Sequence, residues 1–122
     1  MNLTTGVDLI EIERIRQAMA RYGDRFLNRI FTAREQAQAG GDPANLAIRF
    51  AAKEAASKAL GTGIGKVGWL DIEVVSLPSG QPTLELHGQA HKIANQLGFQ
   101  TWSVSLSHSR ELGIAVVVGA GG

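Results

Sequence analysis

The sequence has 122 residues, enough for one domain with a buried core. Apolar residues make up 44% and charged residues 19%, which is typical of globular rather than disordered proteins. The net charge of +1 argues against a nucleic-acid-binding protein, and the absence of cysteine excludes a disulfide framework and thiolate zinc sites. No basic leader with an apolar core is visible, and no apolar run approaches the ~18 residues of a membrane span. We therefore expect a cytoplasmic protein that does not act in a membrane.

The first third of the chain predicts a strand and two helices. The segment LTTGVD has β character, and LIEIERIRQAMARYG then carries apolar residues at helical spacing until Gly23. A short helix follows in FTAREQAQAGG, because Thr32 and Glu35 have the spacing of a capping box.

The rest of the chain predicts a long helix and a mostly antiparallel sheet. Pro43 opens the helix, which runs to about Leu60. GWLDIEVVSL and TLELH form a hairpin, GQAHKIANQLGF is a helix that ends at Gly98, and TWSVSLSHS and LGIAVVVGA are closing strands. The pattern indicates a single α+β domain over residues 1–122, with one long central helix.

The long helix has two different sides. At 100° per residue, one arc carries only methyl groups, so another element can approach it closely: Ala51, Ala52, Ala55, Ala56 and Ala59. Glu54 and Lys58 lie beside Phe50 at the rim of this packed region. Their simplest interpretation is an i,i+4 ion pair, worth roughly 0.2–0.5 kcal/mol on an exposed helix.

Three glycines follow this helix. Gly61 suits a C-cap after Leu60, but Gly63 and Gly65 add more backbone freedom than a cap requires. Backbone N–H groups beside lysines can approach a phosphate closely, so a phosphate site is the second interpretation.

Asp8 also has two interpretations. With Glu11 it has the D-x-x-E spacing of a helix N-cap. Alternatively, Asp8 and Glu54 supply the one or two carboxylates that Mg²⁺ takes from a protein when it also binds substrate phosphates. Spacing does not decide between these alternatives.

Basic residues concentrate early in the chain. Half of the twelve lie in one short segment in which Asp24 is the only acid: Arg14, Arg16, Arg21, Arg25, Arg29 and Arg34. The cluster is either a solvated helix face or a surface that attracts an acidic partner. His87 and His91 have the spacing of a helical metal pair, but Gly88 stands between them and no carboxylate accompanies them, so we expect no metal there.

Several segments together resemble a known family. GVDLIEIERI, FTAREQ, RFAAKEAASKALGTGIG and VSLSHS followed by GIAVVV look like the bacterial holo-acyl-carrier-protein synthases of the 4′-phosphopantetheinyl transferase superfamily. The resemblance covers nearly the whole chain in order, and only AGGDPAN matches weakly. It implies the family fold, homotrimers with sites at subunit interfaces, and transfer of phosphopantetheine from coenzyme A to a carrier-protein serine for fatty-acid biosynthesis, with Mg²⁺ as cofactor.

The resemblance also implies roles for residues. Asp8 and Glu54 would be catalytic and hold the metal, and Lys58 would contact the pyrophosphate and neutralise or protonate the departing phosphate. Other coenzyme A contacts would come from residues near the same helix: Arg49, Lys53, Gly61, Gly63, Gly65 and His108. For His108 a turn residue that satisfies nearby backbone is the alternative. Either Glu54 or a metal-bound water would deprotonate the serine.

The resemblance also implies a protein partner for the arginine cluster. Carrier proteins are small and acidic, so the first helix is predicted to dock one through Arg14, Arg21 and Arg25, with apolar contacts from Met19 and Phe26. Two alternatives to an enzyme are a binding module without turnover, which would lose a carboxylate or Lys58, and a structural trimer subunit, against which the rim charges argue.

Overall fold

The computed structural model describes the whole chain, Met1–Gly122, as one α+β unit. Its elements, in chain order, are β1 Asn2–Glu11, α1 Ile12–Tyr22, α2 Asp24–Ile30, α3 Ala33–Ala39, α4 Pro43–Ala59, β2 Ile72–Ser76, β3 Pro82–Leu86, α5 Gly88–Leu97, β4 Phe99–His108 and β5 Leu112–Gly121. A 3₁₀ turn, Trp69–Asp71, precedes β2. None of the helices combines the length and the apolar character that crossing a membrane requires.

All strand pairs are antiparallel, as predicted. One sheet has the order β1-β5-β4, and β2 and β3 form a separate hairpin. Helix α4 packs across β1 and β5 through its alanine arc, whose five members are all buried. The predicted close approach is therefore confirmed, and α4 is the central element of the core.

The helix ends follow their sequence signals. The Thr32 hydroxyl accepts from the backbone N–H of Glu35, whose carboxylate accepts from the N–H of Thr32, which completes the predicted capping box. At the C-terminal end of α4, Gly61 adopts a positive φ of 76°. The N–H of Gly61 donates to the carbonyl of Lys58 and that of Thr62 to the carbonyl of Ser57, the two bonds of a Schellman motif.

Two predicted boundaries were wrong. Strand β1 continues to Glu11, so Leu9 and Ile10 are extended, and α1 begins at Ile12 without a side-chain cap. Asp8 therefore lies inside the strand and is not the N-cap. Helix α2 was missed because its seven residues span too few turns for a periodic pattern, and Gly23 separates it from α1.

The face of β1 away from α4 is apolar and open. Leu3, Val7 and Leu9 are more than half exposed, whereas Thr4, Gly6 and Asp8 alternate with them towards the helix. On the neighbouring strand, Val116 pairs with Val7 and is also exposed. The outer surface of the sheet thus carries an apolar strip, interrupted on β1 by Thr5.

Candidate active site

Asp8, Glu54 and Lys58 meet where β1 crosses α4. The Lys58 Nζ lies 3.1 Å from Asp8 Oδ1 and donates to the backbone carbonyl of Val7, also at 3.1 Å. The ion-pair partner of Lys58 is thus Asp8 on another element and not Glu54 on its own helix. The fold brings together the three residues for which spacing alone left contact open.

The electrostatics of Glu54 reflect this crowding. Burial raises the pKa of Glu54, the Asp8 charge raises it further, and the Lys58 ammonium opposes both effects. Two carboxylates that repel one another at a partly open surface form a donor set suited to a divalent cation, whose charge relieves that repulsion. The residues present therefore fit Mg²⁺.

Lys53 corrects the predicted set of coenzyme A contacts. Its side chain is fully buried, and its Nζ donates to Glu35 Oε1 at 2.7 Å and to the carbonyls of Trp69 and Ile72. With its three hydrogens engaged inside the core, this ammonium has none for a ligand phosphate. Lys53 is a structural residue, and its assignment as a phosphate contact was wrong.

Arg49 is also mostly buried, but its guanidinium is not fully satisfied. Nη1 donates to the carbonyl of Asn45 and Nη2 to the hydroxyl of Ser76, while the buried Nε has no partner. Burial lowers the pKa of Arg49. A cavity of about 250 Å³ adjoins this group, between α4 and the β2–β3 turn.

The glycine loop holds its own amides. Besides the Schellman bonds, the N–H of Gly63 donates to the carbonyl of Ser57 and that of Gly65 to the carbonyl of Val67. Gly61, Gly63 and Gly65 all have positive φ, so their presence is explained by backbone conformation. His108 is exposed at the end of β4, and its Nδ1 lies 3.1 Å from the carbonyl oxygen of Ser109. This contact is the one expected of a turn residue that satisfies nearby backbone.

The predicted docking residues differ in exposure. Arg14, Arg21 and Arg25 are exposed and form no ion pair, while Met19 and Phe26 are half-buried against the core. Arg16, by contrast, pairs with Glu13 on the same helix. The arginines without an ion pair leave positive charge exposed on α1 and α2.

A cavity lined by two of these residues was not predicted. It has a volume of about 410 Å³ and lies between α1, α2 and the 3₁₀ turn, lined by Tyr22, Arg25, Phe26, Arg29, Ile30 and Trp69. The Trp69 ring stacks on Phe50 with 4.7 Å between centroids, and Phe50 lies one helical turn before Glu54. Sequence spacing missed the cavity because α2 was missed.

A second polar cluster lies on the hairpin. Glu73 accepts from the hydroxyl of Thr32, from Arg34 and from Nε2 of His87, and Arg34 also pairs with Glu85. A carboxylate therefore does accompany His87, contrary to expectation, whereas His91 bonds Asn95 instead. The Arg34 guanidinium pairs with both carboxylates, so an internal cation accounts for the proximity of Glu73 and Glu85.

Comparison with known proteins matches this architecture. Residues 4–117 match the family model of the 4′-phosphopantetheinyl transferase superfamily. A holo-[acyl-carrier-protein] synthase of Herpetosiphon aurantiacus is 51% identical over 126 residues, covering 98% of this chain and 99% of that protein. Helicobacter pylori holo-[acyl-carrier-protein] synthase in complex with coenzyme A has a TM-score of 0.87 at 33% identity, covering 95% of this chain and 99% of that one.

A second solved structure is similar over the same length. The holo-(acyl-carrier-protein) synthase of Bacillus anthracis, in complex with CoA (3′,5′-ADP), has a TM-score of 0.79 at 38% identity, covering 98% of this chain and 96% of that one. The family match, the long relatives and the common fold agree with one another and with the resemblance in the sequence. The chain belongs to the 4′-phosphopantetheinyl transferase superfamily.

Proposed function

We infer that this chain is an enzyme that transfers the 4′-phosphopantetheine group of coenzyme A to a serine of apo acyl carrier protein. The products are holo carrier protein and adenosine 3′,5′-bisphosphate, and the reaction belongs to fatty-acid biosynthesis. The observation that carries the inference is the meeting of Asp8, Glu54 and Lys58 at one crossing, in a chain half identical to synthases of this kind.

The residues suit the chemistry. Cleavage of the pyrophosphate develops negative charge on the departing phosphate, and the Lys58 ammonium, half exposed beside Asp8, can neutralise that charge or supply a proton from Nζ. Asp8 and Glu54 are proposed to hold Mg²⁺, which when bound adds positive charge at the phosphates. The serine nucleophile comes from the carrier protein, so this chain needs none of its own.

Coenzyme A contacts beyond Lys58 remain proposals. Arg49 is supported by its position in the lining of a cavity of about 250 Å³, where its guanidinium charge would attract an anion. His108 is supported only by its exposure at the sheet end. The loop of Gly61, Gly63 and Gly65 can offer a ligand its shape but not the amides already bonded within it.

Docking of the acidic carrier protein is proposed on the face formed by Arg14, Arg21, Arg25, Met19 and Phe26. Its support is three exposed arginines without an ion pair on α1 and α2, where Met19 and Phe26 keep part of their apolar surface exposed. Reversal of Arg14 and Arg21 to Glu should raise the KM for carrier protein by about tenfold or more and spare that for coenzyme A, since interface charges mainly govern association. Equal effects on both KM values would refute this docking face.

A homotrimer with sites at subunit interfaces is also proposed. A strip of exposed apolar side chains of this length on a sheet is typical of a surface covered by another subunit, and it lies on the strand that carries Asp8. Light scattering of the wild type should give a trimer mass, and Val7→Lys on this strip should give a smaller species. A wild-type monomer at assay concentrations would contradict the proposal.

Intact-mass spectrometry of apo acyl carrier protein, incubated with this protein, coenzyme A and Mg²⁺, tests the reaction. The expected result is a mass gain of one phosphopantetheine, lost with EDTA and with Glu54→Gln. Tight coenzyme A binding without a mass gain would favour the alternative of a binding module without turnover. Transfer that survives both controls would keep the reaction but refute the metal site.

A further inference from the structure

The approach of β1 to α4 is closest at Gly6. A Cβ on Gly6 would lie 1.9 Å from the carbonyl oxygen of Ala55 and 3.1 Å from the backbone nitrogen of Ala59. Both neighbours are backbone atoms of the C-terminal half of α4, at residues that are buried, so neither can rotate away as a side chain would. Any side chain at position 6 must therefore push the strand and the helix apart.

This contact lies next to both proposed metal ligands. Gly6 and Asp8 are two residues apart on one face of β1, roughly 7 Å along the strand. Glu54 is the residue before Ala55 on α4. The contact is continued on one side by the Thr4 hydroxyl, which donates to the carbonyl of Ala59 at 2.7 Å, and on the other by Lys58, which bonds Asp8 and the carbonyl of Val7.

We propose that Gly6 is a positioning residue that sets the separation of the Asp8 and Glu54 carboxylates and thereby the affinity of the site for a divalent cation. Because Mg²⁺ demands near-ideal octahedral geometry, it tolerates little displacement of its ligands. With Ala at position 6, the distance between its Cβ and the carbonyl oxygen of Ala55 must grow from 1.9 Å towards the 3.4 Å of ordinary van der Waals contact, so strand and helix must move apart. The inference rests on the proposed function, because it assigns the metal site to these carboxylates.

Gly6→Ala is expected to raise the half-saturating Mg²⁺ concentration for transfer by about tenfold or more, the usual effect of changing a residue that orients metal ligands. The KM for carrier protein should not change, because the proposed docking face lies on α1 and α2. Binding is measured apart from turnover by the EPR signal of free Mn²⁺, titrated with protein and coenzyme A against a protein-free control. The same loss of affinity is expected for Mn²⁺.

Two further variants separate positioning from general destabilisation. Gly121→Ala is the matched control, since its Cβ would lie 1.7 Å from the carbonyl oxygen of Gly98, a backbone clash far along β5 from Asp8. It should leave Mn²⁺ affinity unchanged in the folded protein. The double variant Gly6→Ala/Asp8→Glu should recover part of the lost Mn²⁺ affinity, because the longer Glu side chain can span the widened gap. Asp8→Glu alone should weaken Mn²⁺ binding.

The outcomes distinguish this inference from the proposed function. Wild-type Mn²⁺ affinity in folded Gly6→Ala, or an equal loss in Gly121→Ala, overturns the role of Gly6 alone. If Gly6→Ala does not fold, Thr4→Val, which removes the neighbouring bond without adding bulk, decides: a loss of Mn²⁺ affinity supports the role of this strand–helix contact, and wild-type affinity overturns it. A wild type that binds no Mn²⁺ overturns both the metal site and this role, whereas one that binds Mn²⁺ without transfer refutes only the reaction.

Discussion

Helix α4 carries two lysines five residues apart, of which one forms a buried ion pair and the other an exposed one. Lys53 pairs with Glu35 where both side chains are 0% exposed, and backbone groups complete the bonding of both. Lys58 pairs with Asp8 where the side chains are 52% and 20% exposed. The first pair joins α4 to α3 and β2, whereas the second leaves its charges accessible to a ligand.

On this helix the role of a lysine depends on its burial and on the number of its hydrogen-bond partners, not on its residue type. An ammonium whose hydrogens are all engaged inside the protein can only stabilise, whereas one at the rim can exchange its partner for a phosphate. The Arg34–Glu73 pair on the hairpin is intermediate, since its arginine is half exposed and its carboxylate is buried. These three pairs predict graded losses of stability.

The buried pair should give the largest loss. Lys53→Met leaves the Glu35 carboxylate buried without its counter-ion, and the free energy of unfolding should fall by about 3–5 kcal/mol. Urea denaturation measures the loss. The double variant Lys53→Met/Glu35→Gln should recover part of it, because no buried charge then remains unpaired. A loss of under about 1 kcal/mol, typical of exposed pairs, would contradict the comparison.

The intermediate pair should appear as a pH dependence. The hydrogen bond from Arg34 is the main cause that lowers the pKa of Glu73 from 4.5 to about 2, with further bonds from Thr32 and His87. Because the folded pKa lies below the unfolded one, this stabilisation is present above pH 4.5 and is lost as the pH falls towards about 2. Tm measured across that range should fall in the wild type and fall less in Glu73→Gln. Glu85→Gln, which keeps the Arg34–Glu73 bonds, is the control and should follow the wild type.

The exposed pair should give the smallest loss of stability. Lys58→Met should change the free energy of unfolding by less than about 1 kcal/mol, since exposed ion pairs contribute little. Transfer to the carrier protein should nevertheless fall by about a hundredfold or more, as when a group that stabilises developing charge is removed. Lys92→Met, at an exposed lysine on α5, should alter neither quantity. Full transfer activity in Lys58→Met would remove this lysine from the proposed mechanism.

Local signals predicted much of the fold. The alanine arc, the Thr32–Glu35 capping box and the glycine after Leu60 each depend on residues within a few positions, and each was confirmed. The extension of β1 to Glu11 was missed, because its pairing with Leu112 lies a hundred residues away in the chain. Pairing across the sheet overrode a segment with helical spacing.

The site was predicted less completely, for the same reason. The resemblance suggested Asp8, Glu54 and Lys58, and the structure brings them together, but spacing on α4 indicated the wrong partner for Lys58. Lys53 was misassigned because its partner, Glu35, lies on α3, and sequence spacing does not show that the two meet inside the core. Long-range packing, which decides whether a charged side chain is buried, is the information that the sequence pattern lacked.

The closed loop after α4 has a consequence for ligand binding. Because the amides of Gly61, Thr62 and Gly63 already bond carbonyls of the last helical turn, the segment holds its shape through the chain alone. A ligand that packs against it has little conformational entropy to remove, so its binding energy is not spent on ordering this part of the protein. Hydrogen exchange at Thr62 and Gly63 should accordingly be slow before any ligand is added, as expected of a preformed surface rather than a lid.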